Sequence, residues 1–157
     1  MCQLNVNCGS VVIIEGGNDI SGFDFNYIKL TNVQNGIWNS ITIKENNKVK
    51  SLISWVCNRT PTVWKKLEQK VGNDGGTLGI WNADSYPKTH DEQQDIYNWI
   101  CDFKKTNEPF VYKNIGVNSN TGYGDGLHSV YVYRNLHHII EGIKLEFMDC
   151  LSDEESD

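Results

Sequence analysis

The hydrophobic positions of this chain recur mostly every second residue, and the pattern is clearest near its carboxyl end. Val130 and Val132 alternate with Ser129, Tyr131 and Tyr133, the period of a strand. Residues 139–147 repeat it, with Ile143, Leu145 and Phe147 facing one way and Lys144 and Glu146 the other. Residues 134–138 join the two runs, which predicts a hairpin with one buried and one wetter face, although its turn lacks an Asn-Gly or Asp-Gly pair. Upstream, Gly122, Gly124 and Gly126 alternate with Tyr123 and Asp125, which predicts a sharp loop that feeds the hairpin.

Earlier segments extend the picture. Residues 11–14, VVII, suit a buried strand that ends at the turn-rich residues 15–19. Residues 37–44 set Ile37, Ile41 and Ile43 against Trp38, Ser40, Thr42 and Lys44. The isoleucines are the expected core face, and Trp38 is then the expected exposed anchor. Asn46-Asn47 predicts a reversal into a partner strand over residues 49–57, and residues 110–117 predict a further strand. Two helices are expected. Thr60-Pro61 has the form of an N-cap with proline at the first helical position, and Val63, Trp64, Leu67 and Val71 follow at helical spacing. Thr89-His90-Asp91-Glu92 is a capping box, and Ile96, Trp99, Ile100 and Phe103 then share one face of a helix over residues 90–105 that should lie across a sheet. The expected fold class is α+β: mainly antiparallel β-sheet, a sandwich or partly open barrel, with seven or eight strands and one or two amphipathic helices.

Composition adds boundaries. The chain has 157 residues, enough to bury a sizeable core, and no linker-like segment or fixed repeat divides it. One globular domain over residues 1–148 and an acidic tail over 149–157 are expected. Of 20 acidic residues, Asp149, Asp153, Glu154, Glu155 and Asp157 lie in that tail, so the body, with 14 Lys and Arg, is close to neutral. Without a basic field, nucleic-acid binding is not expected. The tail reads as a solvated, disordered end. Within it Ser152, followed by Asp153, Glu154 and Glu155, has the pattern of an acidophilic-kinase site and is the phosphorylation candidate. No apolar run approaches the roughly 18 residues needed to cross a bilayer, and MCQLNVNCGS lacks the basic and apolar regions of a leader. A soluble cytoplasmic protein without membrane contact is expected. The five cysteines, odd in number and without a C-x-x-C pair, predict free thiols, with Cys57 and Cys101 as small core side chains. The 18 asparagines and single alanine, Ala83, follow AT-rich codons, as in a bacterium, a protist or a large DNA virus with such a genome.

Three segments carry a resemblance. Asn35-Gly36-Ile37-Trp38, then residues 71–81, VGNDGGTLGIW, then residues 121–126, TGYGDG, with the closing hairpin, are similar in order to an uncharacterised domain family with the motifs nGxW, VDSGQxGxF and SGYGDGxYxVYV followed by GxxVGIKIxF. The similarity spans residues 11–147. The family's early DPCY element is absent, residues 14–21 reading IEGGNDIS, and its VDSG appears as Asn73-Asp74-Gly75-Gly76. The resemblance implies the fold and no activity. Some relatives resemble toxin-immunity proteins, which implies a binding role.

Candidate chemistry is sparse. Asp74 and Asp125 sit in glycine turns and would meet if those loops share one end of a sheet, giving a carboxylate pair for a cation or for acid–base work. The simpler reading is that they stabilise their turns. His128, near Asp125 and Tyr123, is the one histidine in such a cluster; His137 and His138, adjacent on the chain, point apart. No nucleophile elbow, zinc-protease pair, phosphate loop or dinucleotide fingerprint occurs, so no cofactor and no metal site are expected. Five tryptophans offer a different lead, since large aromatics make both cores and binding hot spots. The expectation is a non-enzymatic interaction or structural module, immunity-like or encoded by an AT-rich virus and then found in the host cytoplasm or virion. It would meet a protein partner, or a second copy of itself, through Trp38, Tyr123, Tyr131 and Tyr133. The alternative is a metal- or water-activating hydrolase using Asp74, Asp125 and His128.

Overall fold

The computed structural model describes residues 2–20 and 27–147. Among them the chain is α+β, with eleven strands in two antiparallel sheets and one α-helix. Six strands form one sheet in the order β1 (Cys2–Val6), β4 (Gly36–Glu45), β5 (Lys48–Trp55), β11 (Ile140–Glu146), β10 (Gly126–Arg134) and β6 (Lys65–Asn73). Five form the other, in the order β3 (Ile28–Leu30), β2 (Val11–Ile14), β7 (Thr77–Asn82), β9 (Gly116–Asn120) and β8 (Phe110–Tyr112). The sheets stack as an open sandwich, consistent with the expected class.

Its layers follow from side-chain alternation. Leu4, Trp38, Leu52, Val130, Val132, Ile143 and Leu145 of the six-stranded sheet meet Val11, Ile13, Leu78, Ile80 and Val117 of the five-stranded sheet in one core. On the far side of the five-stranded sheet lies α1 (His90–Phe103), whose Ile96 and Ile100 pack on Val12, Ile14, Trp81 and Phe110. Both faces of that sheet are therefore covered, and β2 and β7 are buried at every residue. This is why VVII shows no polar alternation; burying each Val or Ile contributes about 1.5–3 kcal/mol. Helix α1 starts at the expected cap: the Glu92 N–H donates to Thr89 Oγ1 at 3.3 Å, and the Glu92 carboxylate, instead of taking a backbone N–H as in a full capping box, accepts the Thr89 hydroxyl at 2.8 Å.

Turn chemistry explains the strand ends. Asn46 and Asn47 have φ of 54° and 66°, the paired left-handed residues of a type I′ hairpin, as the predicted reversal needs. Between β10 and β11, Asn135 Oδ1 accepts the N–H groups of His137 and Ile139 at 2.8 and 3.1 Å, so a side-chain turn replaces the missing Asn-Gly pair.

Four expectations are corrected. Residues 60–71 form an extended loop and then β6, not a helix: a spacing of four, as from Leu67 to Val71, also keeps one face of a strand, and pairing with β10 decides the outcome. Residues 110–117 are not one strand, because Lys113 and Asn114, at φ 47° and 62°, turn β8 back into β9. On β4 the faces are inverted. Trp38 is fully buried, while Ile37 and Ile43 are 51% and 40% exposed. Trp38 shares the inward face with Ser40, whose hydroxyl bonds that of Ser54 at 2.6 Å, and the indole Nε1–H donates to the Gln34 carbonyl at 2.9 Å. Finally, Cys101 is exposed and Cys57 half-buried, its Sγ donating to the Arg59 carbonyl at 3.1 Å, so neither is a core side chain.

Candidate interaction face and loop cluster

Two regions concentrate the candidate residues. At one end of the sandwich the glycine loops meet. Asp125 Oδ1 accepts the Gly76 N–H at 2.8 Å, and the Thr121 N–H donates to the Gly76 carbonyl at 2.9 Å. Gly122, at φ +63°, lies so close to the Val49 carbonyl that a Cβ would collide with it. Asn73 joins the loops: its Nδ2 donates to the Thr77 carbonyl and to Thr121 Oγ1, both at 3.1 Å, and its Oδ1 accepts the Gly126 N–H at 3.2 Å. His128 Nε2 lies 2.8 Å from that Oδ1. With the amide nitrogen already donating twice, the oxygen is the acceptor, and Nε2 carries the imidazole proton.

Burial sets the charge state of this histidine. His128 is fully buried, with its ring edge-on to Phe147 at 5.4 Å. Desolvation lowers its pKa to about 4, and the negative Asp125 only partly opposes this. It is a neutral core imidazole at neutral pH. Asp74 is exposed, and its backbone N–H donates to Glu15 Oε1 at 3.0 Å. Glu15, only 6% exposed, is the carboxylate that sequence reasoning missed. Burial pushes its pKa up to about 7, and the adjacent Asp74 carboxylate adds to the rise, while the backbone groups of Asp74 and Gly75 oppose it. Its position in the turn-rich segment after β2 was the available signal. The loops thus bring Asp74, Asp125 and His128 to one end of the fold, each bound to a separate partner. Among the described residues no group of three or more His, Cys, Asp or Glu side chains is placed to hold a metal ion.

The second region is the outer face of the six-stranded sheet, which strand register resolves into rows. One row runs Asn39, Trp55, Gly142, Tyr133, and the next runs Ile41, Ile53, Lys144, Tyr131, Lys66. Residues 56–64 fold back over the middle of these rows. Gly142 makes room for them: a Cβ there would stand 2.8 Å from Pro61 Cγ and 3.2 Å from Trp64 Cη2. Lys144 Nζ then lies 5.6 Å from the Trp64 ring centre and 4.6 Å from that of Tyr131, a cation held between two aromatic faces. On either side of this strap the face is open. Ile37 and Ile43 are exposed on β4, and Val63 is 74% exposed beside Tyr133. Two adjoining depressions, of about 510 and 330 Å³, share Val63 and Tyr133 in their walls.

Of the expected binding residues, Tyr131 and Tyr133 are half-buried on this face. Trp38 lies beneath it in the core. Tyr123 stands at the loop cluster instead, with Lys48 Nζ 5.4 Å from its ring centre. Ser152 lies outside the described residues. Trp64, read from sequence as helical, lies instead over β11, against Gly142 and Lys144.

The motif segments of the family resemblance map to the start of β4, to β6, β7 and the loop between them, and to the run from the end of β9 through β11. No family model, no curated protein and no solved structure matches the chain. Among the described residues no helix is long and apolar enough to cross a membrane.

Proposed function

We propose that this protein is a non-enzymatic protein-interaction module that binds its partner through the outer face of the six-stranded sheet. The observation that carries the reading is the exposure of apolar side chains on that side of the molecule: Ile37 and Ile43, towards the two ends of β4, are 51% and 40% exposed, and Val63, on the strap beside Tyr133, is 74% exposed. Aromatic residues are the usual anchors of an interaction surface, and Trp64, Tyr131 and Tyr133, all half-buried, supply them on this side. The acids and imidazole of the loop cluster serve in this reading to bend and lock the backbone, as their bonds to Gly76 and Asn73 support. Membership of the uncharacterised family, a cytoplasmic setting, and an immunity-like or viral structural role belong to the same proposal.

The test is affinity capture from the natural source with full-length protein. Wild type and Asp125→Asn should retain one stoichiometric protein, while Ile37→Asp combined with Val63→Asp, both at exposed positions, should lose it. Retention by the double variant together with loss in Asp125→Asn or His128→Gln would overturn the reading.

A further inference from the structure

We infer that the two depressions flanking Val63 and Tyr133 form a docking groove for a short, extended, acidic segment of a partner protein. The inference rests on the interaction reading and names the partner's chemistry. The chain carries a net charge of -6, yet among the described residues no Asp or Glu lines either depression, whereas Arg59 lines the larger and Lys65 and Arg134 the smaller, with His138 beside them. Glu141, on the adjoining strand, lines neither. The ion pairs among the described residues are Lys44 with Glu108, Lys50 with Glu45 and Lys144 with Glu146. Arg59, Lys65 and Arg134 take part in none of these and are exposed, so they present positive charge at the two depressions.

The walls add shape to charge. Val63 and Tyr133 line both depressions, an exposed apolar side chain and an aromatic wall shared between them. A segment that alternates acidic and apolar side chains satisfies both features: carboxylates reach the guanidinium groups, which bind them in a two-point fork, and apolar side chains cover Val63 and Tyr133. A nucleic-acid strand fits less well, because its affinity grows with the number of phosphates neutralised and these cations are few on an otherwise near-neutral body.

The experiment is selection from a displayed library of random nine-residue peptides on immobilised full-length protein, followed by fluorescence polarisation of the winners. Selected peptides should be rich in Asp and Glu interspersed with apolar residues. Their affinity should fall about tenfold in the Arg59→Ser, Arg134→Ser double variant, the effect of two exposed charge pairs, and should weaken as salt is raised. Both positions are exposed, so the variant should melt with the wild type. Winners without acids, binding indifferent to the double variant, no selected peptide, or preferential binding of a 20-nucleotide oligothymidylate would each overturn the proposal. If peptides fail while Ile37→Asp with Val63→Asp still abolishes capture of the native partner, the acidic partner alone falls and the interaction reading stands.

Discussion

The five-stranded sheet is covered on both faces, by the six-stranded sheet and by α1, whereas the six-stranded sheet has one covered face and one that, among the described residues, is crossed by residues 56–64. Strands β2 and β7 consequently bury every residue, and β4 shows an exposed isoleucine on either side of its buried Trp38 and Ser40. Similar antiparallel strands thus acquire different duties from what lies against them. Where both sides are packed, a side chain contributes to stability; where one side is open, an apolar side chain adds little to the fold and is available to a partner.

The largest predicted effect separates two tryptophans. Trp81, fully buried between sheet and helix with the Tyr86 ring 5.2 Å away, should cost about 3–5 kcal/mol when changed to alanine. Trp64→Ala, on the half-covered face, should cost much less, and urea denaturation of both variants compares them. Equal losses would remove the distinction between the two sheets.

The next effect lies in the loop cluster and depends on pH. Glu15 is raised from 4.5 to about 7, so between those values the folded chain keeps a proton that the unfolded chain has lost, and stability falls as pH rises. Glu15→Gln should therefore stabilise the protein above pH 7, by up to about 3 kcal/mol. His128 is lowered from 6.5 to about 4, so between those values the unfolded chain holds the extra proton, and stability rises with pH. The two slopes oppose each other in the wild type. Thermal melts from pH 4 to 8 should show a flatter profile for wild type than for Glu15→Gln, in which the His128 slope remains; an unchanged profile in the variant would contradict the buried, proton-holding Glu15.

Smaller effects complete the series. Thr89→Ala removes the helix cap and should lower stability by about 1 kcal/mol, read by thermal melting. Ile37→Thr, on the open face, should change it by no more than about 0.5 kcal/mol and still weaken partner capture. A larger loss of stability would mean that the outer face is part of the core.

Local signals made much of this fold legible. The capping box at Thr89, the Asn46-Asn47 reversal and the alternation of Val130, Val132, Ile143 and Leu145 act over a few residues, and each element formed where they stand. The two glycine turns were legible as well, since both follow from glycine and Asx chemistry, whereas their meeting rests on the pairing of β6 with β10. What failed depended on partners distant in sequence. The inward face of β4 carries Trp38, which packs in a core built from strands distant in sequence, and average hydrophobicity pointed to the other face. Strand β6 forms because β10 offers it a pairing edge, a fact invisible in residues 60–71 alone. For the same reason Trp64, Arg59 and Arg134 did not stand out: they are brought together only when the strap of residues 56–64 crosses the hairpin of β10 and β11.

Covalent footprinting of the protein alone and in its isolated native complex measures the central claim most directly. The account predicts protection on complex formation at Ile37, Val63, Trp64 and Tyr133, with Asp74 and Tyr123 at the loop cluster labelled equally in both states. Protection centred on the loop cluster, with the outer face of the six-stranded sheet unchanged, would contradict it.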